Sequence, residues 1–227
     1  MKKLWTHIVV AVLISIGWTA SSQGMELIPV TSFDDTWVTE NWGTGSGTVT
    51  TDGSKVNLSV QGTSTDFGEM FFYKNGTSGI IGMIATLRVD QATTIPYYGC
   101  QINILQYVGK MGNSKIQLLM SLEFGLNQER IGYRVAATDL TTNVKTVLYF
   151  GNIGSYDGNW AFGDSKTVAF ARVGSEFWFY VQGSPGIVKI QAFEEITPFD
   201  GPPAVDAWAG PGNSISGSVS DIYLIKE

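Results

Sequence analysis

The feature that most constrains this chain is a period-two alternation of apolar residues that recurs along its length without helical stretches between. In "IQLLMSLEF", Ile116, Leu118, Met120, Leu122 and Phe124 fall on one face, and Gln117, Leu119, Ser121 and Glu123 on the other. "YGCQINILQYV" behaves alike: Cys100, Ile102, Ile104 and Val108 share a face, and Gln101, Asn103, Leu105 and Tyr107 share the opposite one. Such alternation marks strands with one buried face. Further strands are expected at Lys55–Val60, Ile80–Val89, Arg130–Ala136, Lys145–Phe150, Lys166–Val173, Glu176–Gln182, Val188–Phe193 and Val219–Ile225. No window of a dozen residues beyond the N-terminal segment shows capped helical periodicity. The 27 glycines follow no fixed period and suit turns and bulges. Many strands without intervening helices predict an all-β fold, a two-sheet antiparallel β-sandwich of the jelly-roll type. An immunoglobulin-like sandwich and an up-and-down barrel are the competing arrangements.

The N-terminus reads as a signal peptide over residues 1–24. Lys2 and Lys3 precede the apolar run Ile8 to Ile16, and small and polar residues from Thr19 to Gly24 supply a cleavage zone after Ser22 or Gly24. The run is short for a membrane span, and no Cys stands near the cut to carry a lipid. Residues 25–227 then form a single β-sandwich domain, exported to the periplasm, cell surface or extracellular space. "PFDGPPAVDAWAGPGNS", Pro198 to Ser214, is the most turn-rich passage and is expected to be a long loop within that domain.

Cleavage would remove His7, the only histidine, and two of the 14 bases. With 20 acids remaining, the net charge would deepen from −6 to −8. Such a surface argues against nucleic acid and against membrane insertion of the mature chain. The lack of histidine excludes His-based triads and imidazole metal sites. Cys100 is the only cysteine, so no intrachain disulfide forms and structural zinc is excluded. Its place in an apolar strand predicts a buried thiol. No resident cofactor is expected, although calcium, an ion of oxygen ligands, stays open. "GSYDGNWAFGD" offers Asp157, Asn159 and Asp164 in one loop, and "FDGPPAVDAW" offers Asp200 and Asp206.

Four passages carry a family resemblance. "TSFDDTWVTENWGTGSGTVTTDGSKVNLSV" is similar to an opening Phe-Asp pair and Trp before a glycine-rich turn into a strand. "GIIGMIATLRV" is similar to the strand that follows, "KTVAFARVGSEFWFYVQGSPG" to a late hairpin, and "SGSVSDIYLI" to a final strand that pairs back near the N-terminus. Together, over nearly all of Leu27 to Glu227, they resemble the concanavalin A-like lectin/glucanase superfamily, including laminin G-like domains. That resemblance implies sugar-binding modules, glycoside hydrolases, polysaccharide lyases or adhesion domains, and a fold shared so widely does not assign chemistry. The Glu-x-Asp-x-x-Glu motif of its retaining glucanases is missing. Glu123 stands on a strand without that motif, and would need Glu129 or Glu176 nearby to make a carboxyl pair. "QIN" at Gln101, Ile102 and Asn103 resembles the Gln-Ile-His triplet of alginate lyases, but Asn103 replaces the His and cannot act as a base.

Sugar recognition uses flat aromatic faces with planar hydrogen-bonding groups beside them. Trp160 and Trp208 lie in turn-rich segments where a platform could stand. Gln101, Asn103, Tyr107, Gln117 and Glu123 could line the outer face of one sheet. In "SEFWFYVQGSPG", Phe177, Phe179 and Val181 are core candidates, having no polar group to satisfy. Trp178 and Tyr180 point the other way and either line a ligand groove or lie beneath a loop such as Pro198 to Ser214. Val168, Phe170 and Arg172 share a face of the partner strand, which would put Arg172 at the groove or its rim. The reading is a non-catalytic carbohydrate-binding, lectin-like domain with a polysaccharide or glycan as partner. The alternatives are a polysaccharide-active hydrolase or lyase, and a structural or protein-binding surface domain.

Overall fold

A computed structural model describes residues 25–93, 99–125, 128–153, 160–184 and 186–227. The strands run, in chain order, β1 (Glu26–Pro29), β2 (Trp37–Gly43), β3 (Ser46–Asp52), β4 (Lys55–Gln61), β5 (Gly68–Lys74), β6 (Ile80–Thr93), β7 (Gly99–Met111), β8 (Ser114–Gly125), β9 (Gln128–Asp139), β10 (Lys145–Asn152), β11 (Ser165–Val173), β12 (Glu176–Val181), β13 (Val188–Gln191), β14 (Ala204–Ala209) and β15 (Ser214–Lys226). Two antiparallel sheets face each other. The front sheet is ordered β10-β9-β8-β7-β14-β5-β2, and the back sheet β13-β12-β11-β6-β15-β4-β3, with β1 added to β15. This is the all-β jelly-roll sandwich of the concanavalin A type.

The predicted parities hold on both sheets. Ile102, Ile104, Ile116, Leu118, Met120 and Leu122 from the front sheet meet Leu87, Phe170, Phe177 and Phe179 from the back sheet in one core. Truncating any one of these large side chains would leave a cavity that rigid sheets close poorly. Gln106 enters this core on the inward face of β7, where its amide donates to the carbonyls of Ile80, 2.8 Å away, and Gly201, 3.1 Å away. It thereby ties β7 to segments on either side. Cys100 is buried among the core residues, and desolvation pushes its thiol up to about 12.

β1, β2, β3 and β5 are additional to the strands expected from alternation, and two passages depart further from the expectation. The passage from Pro198 to Ser214 is not one long loop: its centre is β14, paired with β5 on one side and β7 on the other. Val205 and Ala207 point inward and Asp206 and Trp208 outward, a period-two pattern hidden by the flanking Pro and Gly. β15 is longer than its predicted core and is shared. Ser214–Val219 pairs with β4, and Tyr223–Lys226 pairs with β1. Gly217 sits at a bulge in this strand, where a Cβ would come within 2.1 Å of the Arg88 carbonyl oxygen. Glycine is required there by close backbone approach.

Candidate functional site

The outer face of the front sheet carries the site. Successive rungs across β5, β14, β7, β8 and β9 set Glu69, Trp208, Gln101, Glu123 and Arg130 abreast, then Phe71, Asp206, Asn103, Ser121 and Gly132. The next rung holds Tyr73, Ala204, Leu105, Leu119 and Arg134. In a flat sheet, the five inter-strand steps from β5 to β10 would separate Glu69 from Lys145 by about 24 Å or more. Instead Glu69, Tyr107, Gln117, Thr138 and Lys145 line a single cavity of about 600 Å³. The sheet therefore curls over its own outer face. Curling also explains why Leu105 and Leu119, on the solvent side by parity, are buried at 6% and 4% exposure.

An aromatic end of the groove is built on β2 and β5. Trp42 is 53% exposed and leans on Phe71 with ring centroids 4.8 Å apart. Its indole N–H donates to one oxygen of Glu40 at 3.1 Å, and the Tyr73 hydroxyl donates to the other at 2.7 Å. Glu40 thus holds an exposed ring in one orientation. The opposite end carries Lys115, Gln117, Thr138 and Lys145. The Lys115 ammonium stands 4.3 Å above the Tyr107 ring centre.

Two acids lie between these ends. Asp206 is 1% exposed, and one of its oxygens accepts from the Asn103 amide at 2.6 Å. Burial first, then the negative charge of Glu69, raises its carboxyl well above the usual range, against the Asn103 hydrogen bond and the Lys145 and Arg134 charges. Glu69 lines the cavity itself. Desolvation raises it to about 7, opposed by Lys145 and Arg134. Lys145 is lowered, by desolvation first and then by Arg134, while Glu69 and Asp206 pull it the other way. These acids and bases therefore feel one another across the curled sheet.

The sequence-predicted site residues divide. Gln101, Asn103, Tyr107, Glu123 and Trp208 share the groove face, and Tyr107 lines the cavity. Glu123 accepts from the Ser121 hydroxyl at 2.7 Å and lies over Gly132, where a Cβ would be 2.3 Å from its oxygen. Trp178 and Tyr180 are not on this face. Both are buried on the outer face of the back sheet among Ile81, Ile84, Ala171 and Ile225, with Leu27 of β1 and Ile187 packed beside them. They are covered, but not by Pro198 to Ser214. The Trp178 indole donates to Glu176 at 2.8 Å, and Lys189 stands 4.0 Å from the ring centre. Arg172 turns between the sheets, donating to the Val108 carbonyl at 3.0 Å and pairing with Glu227 at 2.7 Å. Trp160 is a core residue whose N–H donates to the Arg130 carbonyl at 3.0 Å. It is no platform.

Of the calcium candidates, Asp157 and Asn159 lie outside the described residues. Asp164 accepts from the Ala161 N–H at 3.1 Å, as a turn residue does. Asp200 accepts from the Gly79 N–H, and Asp206 is on a central strand rather than in a loop. Among the described residues no three acids, Cys or His gather as a metal cluster.

Sequence reasoning missed Glu40, Trp42, Glu69, Phe71, Tyr73, Lys115 and Lys145 as site residues. The alternation in "GEMFFYK" would have placed Glu69, Phe71 and Tyr73 on one face. Nothing in the pattern reveals that this face meets β10.

No protein-family model and no curated protein matches the chain. Solved structures do match in fold. A native glycosidic hydrolase aligns with TM-score 0.55 and 16% identity over 89% of this chain and 95% of that one. The κ-carrageenase from Pseudoalteromonas carrageenovora, in complex with an oligotetrasaccharide, gives 0.53 and 10% over 90% and 96%. The Emp47p carbohydrate recognition domain gives 0.52 and 12% over 88% and 94%. Enzymes and a recognition domain thus share this sandwich.

Proposed function

We propose that the protein is an exported glycan-binding domain, with residues 1–24 as its leader, that holds a saccharide in the groove of the front sheet without cleaving it. The observation that carries this reading is the exposed Trp42, locked by Glu40 and Tyr73 at the mouth of a cavity of about 600 Å³. A fixed aromatic face beside hydroxyl, amide and carboxyl groups suits a pyranose, which has apolar C–H faces and a rim of hydroxyls. Preorganisation of that ring saves ordering entropy on binding. The names of the matching structures, two carbohydrate-degrading enzymes and one carbohydrate recognition domain, support a saccharide as the ligand class.

One observation favours a second reading, a glycoside hydrolase. Glu69 lines the groove with its carboxyl raised to about 7, the range of a general acid. Glu40 on the neighbouring strand would be the second carboxyl.

A glycan array followed by calorimetry and a reducing-end assay tests both. The binding reading expects a saccharide ligand, no release of reducing ends by the wild type, and retained affinity in Glu69→Gln. Turnover by the wild type that vanishes in Glu69→Gln would establish the hydrolase instead. A folded protein silent across a broad array would refute both.

A further inference from the structure

The basic end of the groove has more charge than a neutral sugar needs. Lys115 and Lys145 line the cavity, and Arg134 lies close enough to both acids and to Lys145 to shift them. The ion pairs among the described residues are Lys74–Asp34, Arg88–Asp90 and Arg172–Glu227, so none of the three groove cations has a carboxylate within 4 Å. Their proximity is costly, because Arg134 and Lys115 both repel the Lys145 ammonium. The nearby carboxyls answer the cations only in part, because neither brings an oxygen within 4 Å of them and burial disfavours the charged forms of Asp206 and Glu69.

Two residues of the cavity wall also carry unanswered polar atoms. Gln117 and Thr138 line the cavity, and the Gln117 side-chain oxygen and the Thr138 hydroxyl lie buried in its wall with no hydrogen-bond partner in the protein. Their residues are 5% and 4% exposed. Cations that line an open cavity without a carboxylate in reach describe a site whose anion comes from outside. An anion entering there would meet the Lys115 and Lys145 ammonium groups.

Resting on the glycan-binding reading above, we propose that the Lys115–Arg134–Lys145 end of the groove takes an anionic substituent of the bound saccharide. The substituent is a sulfate ester or a carboxylate, while the Trp42 end stacks on a ring. Guanidinium and ammonium groups bind both anions through charge-assisted hydrogen bonds.

The test is affinity electrophoresis of the full domain in matched gels: carrageenan against desulfated carrageenan, and polygalacturonate against its methyl ester. Lys115→Met and Lys145→Met keep the aliphatic stems. Lys55→Met, on β4 of the back sheet, is the control, and melting temperatures report folding. The expected result is retardation by at least one charged polymer and loss of tenfold or more in affinity for its neutral partner. Lys145→Met and Lys115→Met should lose a similar factor and Lys55→Met none. The sulfated arm or the uronate arm then identifies the anion. Equal retardation by charged and neutral forms would overturn this proposal and leave the glycan reading standing. Charged-polymer binding untouched by both groove variants would also overturn it, locating that binding elsewhere. Folded protein retarded by no polymer, and silent on the glycan array, would remove the glycan reading itself.

Discussion

Trp178→Ala is expected to lower stability by about 3 kcal/mol and to leave glycan affinity unchanged, whereas Trp42→Ala does the reverse. Trp178 is buried between Ala171, Ile84, Ile225 and Ile187, with its N–H bonded to Glu176. Removing the indole strips that contact and leaves a void, in the range of about 3–5 kcal/mol for large aromatics. Some relaxation is expected because the site lies on an outer sheet face, so the lower end applies. Trp42 is half exposed and, among the described residues, its ring contact is Phe71. Its loss should cost about 0.5 kcal/mol of stability or less, but about tenfold in affinity, or about 1.4 kcal/mol. Chemical denaturation and calorimetry on the two variants read the four numbers. Loss of binding in Trp178→Ala with stability intact would place the ligand on the back sheet.

The second large effect is a fall in stability with rising pH. Glu69 and Asp206 both have folded-state pKa values above their ordinary ones, 4.5 and 3.8. The folded state therefore holds protons more tightly than the unfolded state. No penalty exists below the unfolded values. It grows as pH climbs past them and levels off above the folded values, near pH 7 for Glu69. With about 1.4 kcal/mol per unit, and discounting Glu69 for its partial exposure, Glu69 should cost about 1–2 kcal/mol at pH 8 relative to pH 4. Asp206 adds in the same direction. The acids with lowered values, Asp34, Asp66 and Asp139, lie at the surface, and their opposing effect falls at more acidic pH. Melting temperatures should thus decline from pH 5 to pH 8. Glu69→Gln and Asp206→Asn should each flatten the decline by raising stability at pH 8 but not at pH 4. An Asn at 206 can still turn an oxygen to the Asn103 amide. A wild type that gains stability over this range, or variants that keep its slope, would contradict the assignment.

How far the sequence could be read depended on the range of the forces involved. Alternation along β7 and β8 is local, so their inward and outward faces were legible residue by residue, as was the Phe177–Phe179–Val181 core face. β14 was not, because only six residues separate Pro-Gly clusters on both sides. Its small alternating Ala and Val suit a central strand squeezed between two others, a fact set by partners distant in the chain. Trp178 and Tyr180 have polar atoms that suggest a wet face. They are buried among Ile81, Ile84 and Ile225, beside Leu27 of β1, which returns to the end of β15 in a pairing of residues some 200 positions apart. The groove depends on curvature. Periodicity assigns Glu69 and Lys145 to faces, but only the curl of the sheet brings β5 and β10 to one cavity.

Hydroxyl-radical footprinting, with and without the best-bound saccharide from the array, shows whether ligand occupies the outer face of the front sheet. Protection is expected at Trp42, Tyr73 and Tyr107, with no change at Trp178 or Tyr180. Protection of the back-sheet pair with the front-sheet aromatics unchanged would contradict that placement.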